Sequence, residues 1–294
     1  MAKTFLFLRV RTHSSRVPFK AVRLLGGKPL FLVCLERFQR YLDVDAVFAT
    51  TMPGAQDDLL AWTLEGMGIK TLRQSQRGPW IPQATARALE WQPDDIIVYI
   101  GADEPFIYCE DMQHRVDALK ASDCNMIVSA PTGHFPLLDW EWAVGPQMWT
   151  AKASISLDGL ETVNRKGSPA RVGGAAADYR LLMTMGLLKP LLVEKPLAAR
   201  EPWPWQPLWI DEPGQFEKAQ LIYEGIGDDV STDRHIRAFL KRHPEIAQMG
   251  ANAPRRTTKI FYEDEETVAL LRSIAEEKGI VPAFQSKIVK EDES

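Results

Sequence analysis

The chain has 294 residues, 45% of them hydrophobic and 25% charged, with 35 basic against 39 acidic side chains and a net charge of −4. A chain of this size and ordinary globular composition can bury a large core, as one big α/β domain or two smaller ones. The slight negative balance excludes a protein that coats nucleic acid, so any anion site must be local; the opening apolar run is too short for a signal-peptide core, and no later stretch approaches a membrane span. Cys34, Cys109 and Cys124 are scattered, odd in number and form no C-x-x-C pair. They read as reduced thiols in a cytoplasmic protein rather than as a zinc site or a disulfide framework.

In chain order, residues 4–10 read as a first strand, followed by a loop that carries Arg11, Ser14, Ser15, Arg16, Pro18 and Lys20. A Gly26-Gly27 turn leads into a helical pattern over 29–42, with Leu30, Val33, Leu35 and Phe38 largely on one face. Strands are expected at 44–50 and 69–72, with a helix over 55–67 ended by Gly68 between them. A helix over 82–91 precedes 95–101, a continuous apolar run of the kind a central parallel strand shows. A helix over 110–120 and a strand over 125–130 complete an alternation that predicts right-handed βαβ units on one sheet. From 131 to 210, prolines and tryptophans crowd the chain and break this pattern. Here 147–157 and 190–195 read as strands of an antiparallel excursion, and 175–185 as a helix. The tryptophans read as core residues first, with stacking on a ligand as the alternative. Helices are expected over 215–225 and from a Ser231-Thr232-Asp233 cap to about Arg242. An acidic amphipathic helix over 263–278 and a short strand over 283–288 follow.

In an open α/β sheet, ligands bind in the crevice at the carboxyl ends of the strands. A first strand ending in Arg11, Ser14, Ser15, Arg16 and Lys20 delivers planar guanidinium forks, short neutral donors and a point charge to that crevice, a set suited to a polyphosphate. The alternative is a basic, solvated loop. The string R-x-x-S-S-R-x-P-x-K, followed by G-G-K-P-L, resembles the N-terminal signature of the cytidylyltransferases that make CMP-activated sugars. These include the CMP-Kdo and CMP-sialic acid synthetases and the spore-coat polysaccharide cytidylyltransferases. Downstream, Gly101-Ala102-Asp103-Glu104-Pro105-Phe106-Ile107 resembles that family's G-D-x-P-[LI]-I segment. Trp209-Ile210-Asp211-Glu212-Pro213-Gly214-Gln215-Phe216-Glu217 resembles its I-D-T-P-E-D-L-E segment. The resemblance covers roughly residues 4–250 and is weakest between about 135 and 200.

The resemblance implies a three-layer α/β, nucleotide-diphospho-sugar transferase-like fold with a mostly parallel central sheet. Residues 1–250 would form the nucleotidyltransferase domain, with 131–210 an irregular insertion serving the sugar side or oligomerisation. The shift in composition beyond Pro254 sets residues 251–294 apart as a helix–strand extension. The implied activity is Mg²⁺-dependent transfer of CMP from CTP to an acidic or phosphorylated sugar, releasing pyrophosphate, for surface polysaccharide synthesis. The expected partners are CTP and a sugar or sugar acid, with no nucleic acid and no membrane insertion; a homodimer is left open.

Nucleotidyl transfer piles charge onto the bridging and leaving oxygens, so the site needs cations and in-line positioning more than a covalent nucleophile. Arg11, Arg16 and Lys20 are candidates for the β- and γ-phosphates, with Ser14 and Ser15 as neutral donors. Asp103 and Asp211 each follow an apolar run and are candidate Mg²⁺ ligands; for Asp103 the alternative is a turn or N-cap aspartate. Glu104 and Arg171 are candidates on the sugar side. Asp94-Asp95 begins its strand and reads as a solvated turn. Three departures from the family pattern stand out: His13 where a small residue is usual, Ala102 directly before the aspartate, and 78–83 in place of a family arginine, for which Arg77 or Arg87 could substitute. Two other readings remain: a non-catalytic homologue that binds nucleotide or sugar, and a glycosyltransferase of similar fold.

Overall fold

The computed structural model describes residues 1–14, 16–74, 81–106, 109–130, 149–158, 187–194, 209–227 and 233–250. Their elements follow in chain order as β1 (Thr4–Arg9), β2 (Leu24–Leu25), β3 (Lys28–Pro29), α1 (Leu30–Gln39), β4 (Ala46–Thr51), α2 (Asp58–Gly66), β5 (Lys70–Arg73), α3 (Gln83–Ala88) and β6 (Ile96–Gly101). Beyond these come α4 (Met112–Lys120), β7 (Met126–Ala130), β8 (Trp149–Lys152), α5 (Ser154–Leu157), β9 (Pro190–Glu194), α6 (Pro213–Ile226), α7 (Asp233–Arg242) and α8 (Pro244–Gln248).

Successive side chains of a strand point to opposite faces of its sheet, and β1 and β6 are apolar at almost every position, so both faces must be covered. Leu6 and Leu8 of β1, with Ile96, Val98 and Ile100 of β6, pack against Phe31, Leu35 and Phe38 of α1 and Met112, Val116 and Leu119 of α4. Phe5, Phe7, Ile97 and Tyr99 face the other way, into a second cluster with Phe48, Trp91 and Ala86 of α3. Phe7 stacks on Phe48 with ring centroids 4.8 Å apart. The sheet is therefore the middle of three layers, as the alternating pattern implies.

Among the described residues the sheet has the strand order β5-β4-β1-β6-β8-β7-β9. The pairs β4–β5, β1–β4, β1–β6 and β7–β9 are parallel, whereas β8 runs antiparallel to both β6 and β7. The expected antiparallel excursion holds for β8 and is corrected for β9. β8 is an insertion within the main sheet, and β9 extends that sheet in parallel. The strand expected over 147–157 also ends early, at Lys152, and residues 154–157 turn into a short helix. The alternating apolar residues there, Ala151, Ala153, Ile155 and Leu157, suit a strand as well as a buried helical turn, so periodicity could not separate the two.

The solvated turn expected at Asp94-Asp95 needs a second correction. Asp94 is exposed and reaches Lys152 at 3.2 Å, but Asp95 is buried. It accepts hydrogen bonds from the backbone N–H groups of Lys3 at 2.9 Å and Gln92 at 2.8 Å, tying the entry to β1 to the entry to β6.

The chain moves outward from β1 through β4 to β5 and then returns to the opposite side of β1 with β6. The carboxyl ends of β1 and β6 therefore flank a point where the strand order reverses, and the loops after them splay apart into a crevice. A third cluster, built from α6, α7 and α8, packs Phe216, Ile222, Ile236, Phe239 and Leu240 against Leu30, Val33 and Cys34 of α1. It brings residues 209–212 to the mouth of that crevice. The β2–β3 hairpin turns through Gly26 (φ +60°) and Gly27 (φ +81°), and a Cβ at Gly26 would lie within the Tyr223 ring of α6. No described helix is long and apolar enough to cross a membrane. The helix expected over 175–185 and everything from 251 onward lie outside the described residues.

Candidate active site

The site begins where β1 ends. The ladder between β1 and β6 continues one step beyond the strands, with the Ala102 N–H donating to the Arg9 carbonyl at 3.0 Å. Thr12 is then pinned by the buried carboxylate of Asp57, which accepts from the Thr12 N–H at 2.9 Å and from its hydroxyl. The other oxygen of Asp57 accepts from the Met52 N–H at 2.9 Å, so one carboxylate fixes the loop after β1 to the end of β4. Further on, the Val17 N–H donates to Ser14 Oγ at 3.3 Å. Phe19 takes a left-handed φ of 56° and turns the chain into a 3₁₀ turn over Lys20–Val22.

This path aims Lys20 back across the crevice. Its ammonium donates to Asp103 Oδ2, to Asp211 Oδ1 at 3.1 Å and to the Ile210 carbonyl at 2.6 Å, three acceptors for three donors. Arg16 reaches the same place, with one guanidinium nitrogen 2.8 Å from Asp211 Oδ1 and the other donating to Glu212 Oε1 at 2.9 Å. Four of the predicted residues, Arg16, Lys20, Asp103 and Asp211, therefore meet in one cluster, and the two aspartates share a single cation only a few ångströms wide. Arg11 is exposed at the start of the loop. Ser15, Arg77 and Arg171 lie outside the described residues.

The fold sets the surroundings of Asp211 and Glu104. Asp211 does not end a strand: residues 209–212 form bends that run into α6, held by the Ile210 N–H donating to the Asp103 carbonyl at 2.8 Å. Glu104 is buried at 2% exposure, and its Oε2 finds no hydrogen-bond partner among the described residues. Gly101 allows these carboxylates to fold back beside β6, since a Cβ there would sit 2.7 Å from Asp103 Oδ1 and 3.0 Å from Glu104 Cδ.

Burial and charge set the protonation of the pair. Burial opposes the charge on Asp103, but Lys20 and then Arg9 outweigh it and hold the carboxyl below its usual range. Burial, reinforced by the neighbouring Asp103 charge, pushes Glu104 up to about 8. The crevice therefore carries an ionised Asp103 beside a Glu104 that keeps its proton at neutral pH.

Sequence reasoning missed four contributors. Asp57 and Thr12 form the clamp described above, and only the Asp57-Asp58 pair after a Pro53-Gly54 turn hinted at it. Glu212 and Gln215 form a capping box at the start of α6. Gln215 Oε1 also accepts from the Asp211 N–H at 2.6 Å and the Glu212 N–H at 2.9 Å, fixing the backbone that presents both carboxylates. The E-x-x-Q spacing before an apolar run was a readable signal for it.

A three-layer sheet with cations and carboxylates gathered at its switch point defines an α/β protein of the nucleotidyltransferase type. The family model of the MobA-like NTP transferase domain matches residues 13–246, and the chain belongs to that family. Among curated relatives, it is 29% identical over 124 residues to 3-deoxy-manno-octulosonate cytidylyltransferase 2 of Hydrogenovibrio crunogenus, covering 41% of this chain and 48% of that one. It is 27% identical over 146 residues to the 3-deoxy-manno-octulosonate cytidylyltransferase of Neisseria gonorrhoeae, covering 50% of this chain and 55% of that one. The matches thus span about half the length of the curated relatives. Among solved structures, a cytidylyltransferase from Leptospira borgpetersenii superposes with a TM-score of 0.62 at 16% identity, covering 84% of this chain and 98% of that one. A CMP:2-keto-3-deoxy-manno-octonic acid synthetase complexed with CTP gives 0.50 at 15% identity, covering 76% and 99%. The structural likenesses establish the fold, and the relatives agree with the resemblance carried by the sequence motifs.

Proposed function

We propose that the protein is a Mg²⁺-dependent cytidylyltransferase that transfers CMP from CTP to an acidic or phosphorylated sugar and releases pyrophosphate. The observation that carries this reading is the convergence of Asp103 and Asp211 on one cation at the switch-point crevice, with Arg16 and Lys20 beside them. The names of the curated relatives support cytidylyl transfer, and a sugar acid as acceptor.

Asp103 and Asp211 fit a divalent metal. They already share a positive charge, the Lys20 ammonium, and carboxylate oxygens are the donors a hard cation takes. Among the described residues no group of three or more His, Cys, Asp and Glu side chains is placed to hold a metal. Mg²⁺ typically uses one or two protein carboxylates and completes its shell with phosphate and water oxygens. When bound, the ion polarises the α-phosphoryl group and offsets charge on the leaving oxygen.

The chain's own residues do the rest. Arg16 and Lys20 bind the β- and γ-phosphates and hold the charge of the departing pyrophosphate through charge-assisted hydrogen bonds. The Asp57 clamp on Thr12 fixes the loop that carries them, so the phosphates meet preorganised donors. Glu104 keeps its proton and so adds no second negative charge beside Asp103. The acceptor's hydroxyl oxygen attacks the α-phosphorus in line with the bond to the bridging oxygen. That bond breaks, pyrophosphate leaves, and the hydroxyl proton passes to solvent.

The test is to incubate the protein with each nucleoside triphosphate, Mg²⁺ and a panel of acidic and phosphorylated sugars, and to follow pyrophosphate. Release that needs CTP and one class of sugar supports the reading. Absence of release with every pair overturns it and favours a homologue that binds without turnover.

A further inference from the structure

The cations that the proposed reaction needs are already in use. Arg16 spends one guanidinium nitrogen on Asp211 and the other on Glu212, and all three donors of Lys20 are taken. A triphosphate can reach these groups only by exchange with a carboxylate. When Arg16 alone departs, Asp211 keeps Lys20 as a partner, and on the triphosphate reading the divalent ion takes that place once Lys20 also turns to phosphate. Glu212 is the N-cap of α6, where its side chain also accepts the N–H of Gln215 in the capping box. Its carboxylate stays satisfied there without Arg16, because the helix N-terminus favours negative charge.

Glu212 therefore presents to Arg16 what a phosphate would present: an anionic oxygen held in place at the N-cap of α6. We propose that Glu212 is an intramolecular stand-in for the triphosphate, a latch that holds Arg16 in the ligand-free protein and sets how tightly the cleft takes polyphosphate. The proposal rests on the triphosphate reading of this cleft. Arg16 is 32% and Glu212 26% exposed at the side chain, so the latch is partly solvated and weak enough to exchange.

The test uses Glu212→Gln, which keeps the shape and an acceptor for the Gln215 N–H but removes the charge. Glu212→Thr, a residue favoured at helix N-caps, serves as the second variant. Inorganic tripolyphosphate binding is measured by calorimetry for wild type, both variants and each combined with Arg16→Ala. Hydrogen exchange is followed without ligand in the peptide covering residues 11–20. Both variants are expected to bind tripolyphosphate about two- to fivefold more tightly, the range a partly exposed ion pair supports. The gain is expected to vanish in the Arg16→Ala background, and the loop peptide to exchange faster in the variants. Unchanged or weaker binding, or an equal gain without Arg16, overturns the latch. If the gain and the faster exchange are seen but CTP yields no pyrophosphate with any sugar, the latch stands and the transferase reading falls.

Discussion

Replacing Lys20 with methionine keeps the length of the side chain and deletes the charge that Asp103 and Asp211 share. Two carboxylates and the Ile210 carbonyl then lose their common donor. Removing one side of a buried ion pair costs about 3–5 kcal/mol. Asp103 retains 21% and Asp211 37% side-chain exposure, so water recovers part of that loss and about 2–3 kcal/mol remains. For a chain of this size that lowers Tm by about 3–5 °C at pH 7.

The loss should also depend on pH. In the wild type, burial opposes the Asp103 charge while Lys20 and Arg9 outweigh it, so the depressed carboxyl contributes stability above the usual carboxylate range. Without Lys20, burial dominates and the carboxyl takes its proton at higher pH. The deficit is full at pH 7, shrinks as pH falls through the variant's raised value, and levels off once the wild-type Asp103 is protonated too. Thermal unfolding of both proteins from pH 4 to pH 8 reads the full deficit and its shrinking directly. An unchanged Tm at pH 7, or a deficit that grows toward acid, would show that Lys20 does not hold the Asp103 charge.

Further outcomes follow from neighbouring residues. Glu104 titrates from 4.5 unfolded to about 8 folded, because burial penalises its charge, so the stability tied to it is present below 4.5 and lost as pH rises toward 8. Glu104→Gln is therefore expected to raise Tm at pH 8 and to leave it nearly unchanged at pH 5; an equal effect at both would contradict the burial argument. Asp57→Asn puts an amide where two backbone N–H groups and a hydroxyl need acceptors. It is expected to cost about 1–3 kcal/mol and to speed hydrogen exchange over residues 11–20, and protection equal to the wild type would show that the clamp does not hold the loop.

Much of this architecture was legible because burial on both sheet faces leaves a strong trace. β1, β4 and β6 are near-continuous apolar runs, and their observed bounds differ from the expected ones by a residue or two. What sequence could not supply was pairing. Nothing local in Trp149–Lys152 says that it slots between β6 and β7, since its partners lie far away in the chain. The site divides in the same way. Arg16, Lys20, Asp103 and Asp211 were identified through motifs, as residue types suited to phosphate and metal. That Lys20 bridges the two aspartates, and that Glu212 competes for Arg16, depends on contacts across some 190 residues of sequence that only the fold creates. Asp95 shows the reverse error: a pair of aspartates looks solvated until two backbone N–H groups are found to need one of them.

The reading proposed above requires Asp103 and Asp211 to act together on one divalent ion at the nucleotide cleft. Mn²⁺, used as a paramagnetic reporter for Mg²⁺, tests it when titrated into the protein in the presence of a non-hydrolysable CTP analogue. The wild type is expected to bind one Mn²⁺ in a nucleotide-dependent manner. Asp103→Asn and Asp211→Asn should each weaken that binding by about tenfold or more, an amide being a far poorer ligand than a carboxylate for a hard cation. Asp211→Asn should do so without loss of fold. Full-affinity Mn²⁺ binding in both variants would contradict the shared site.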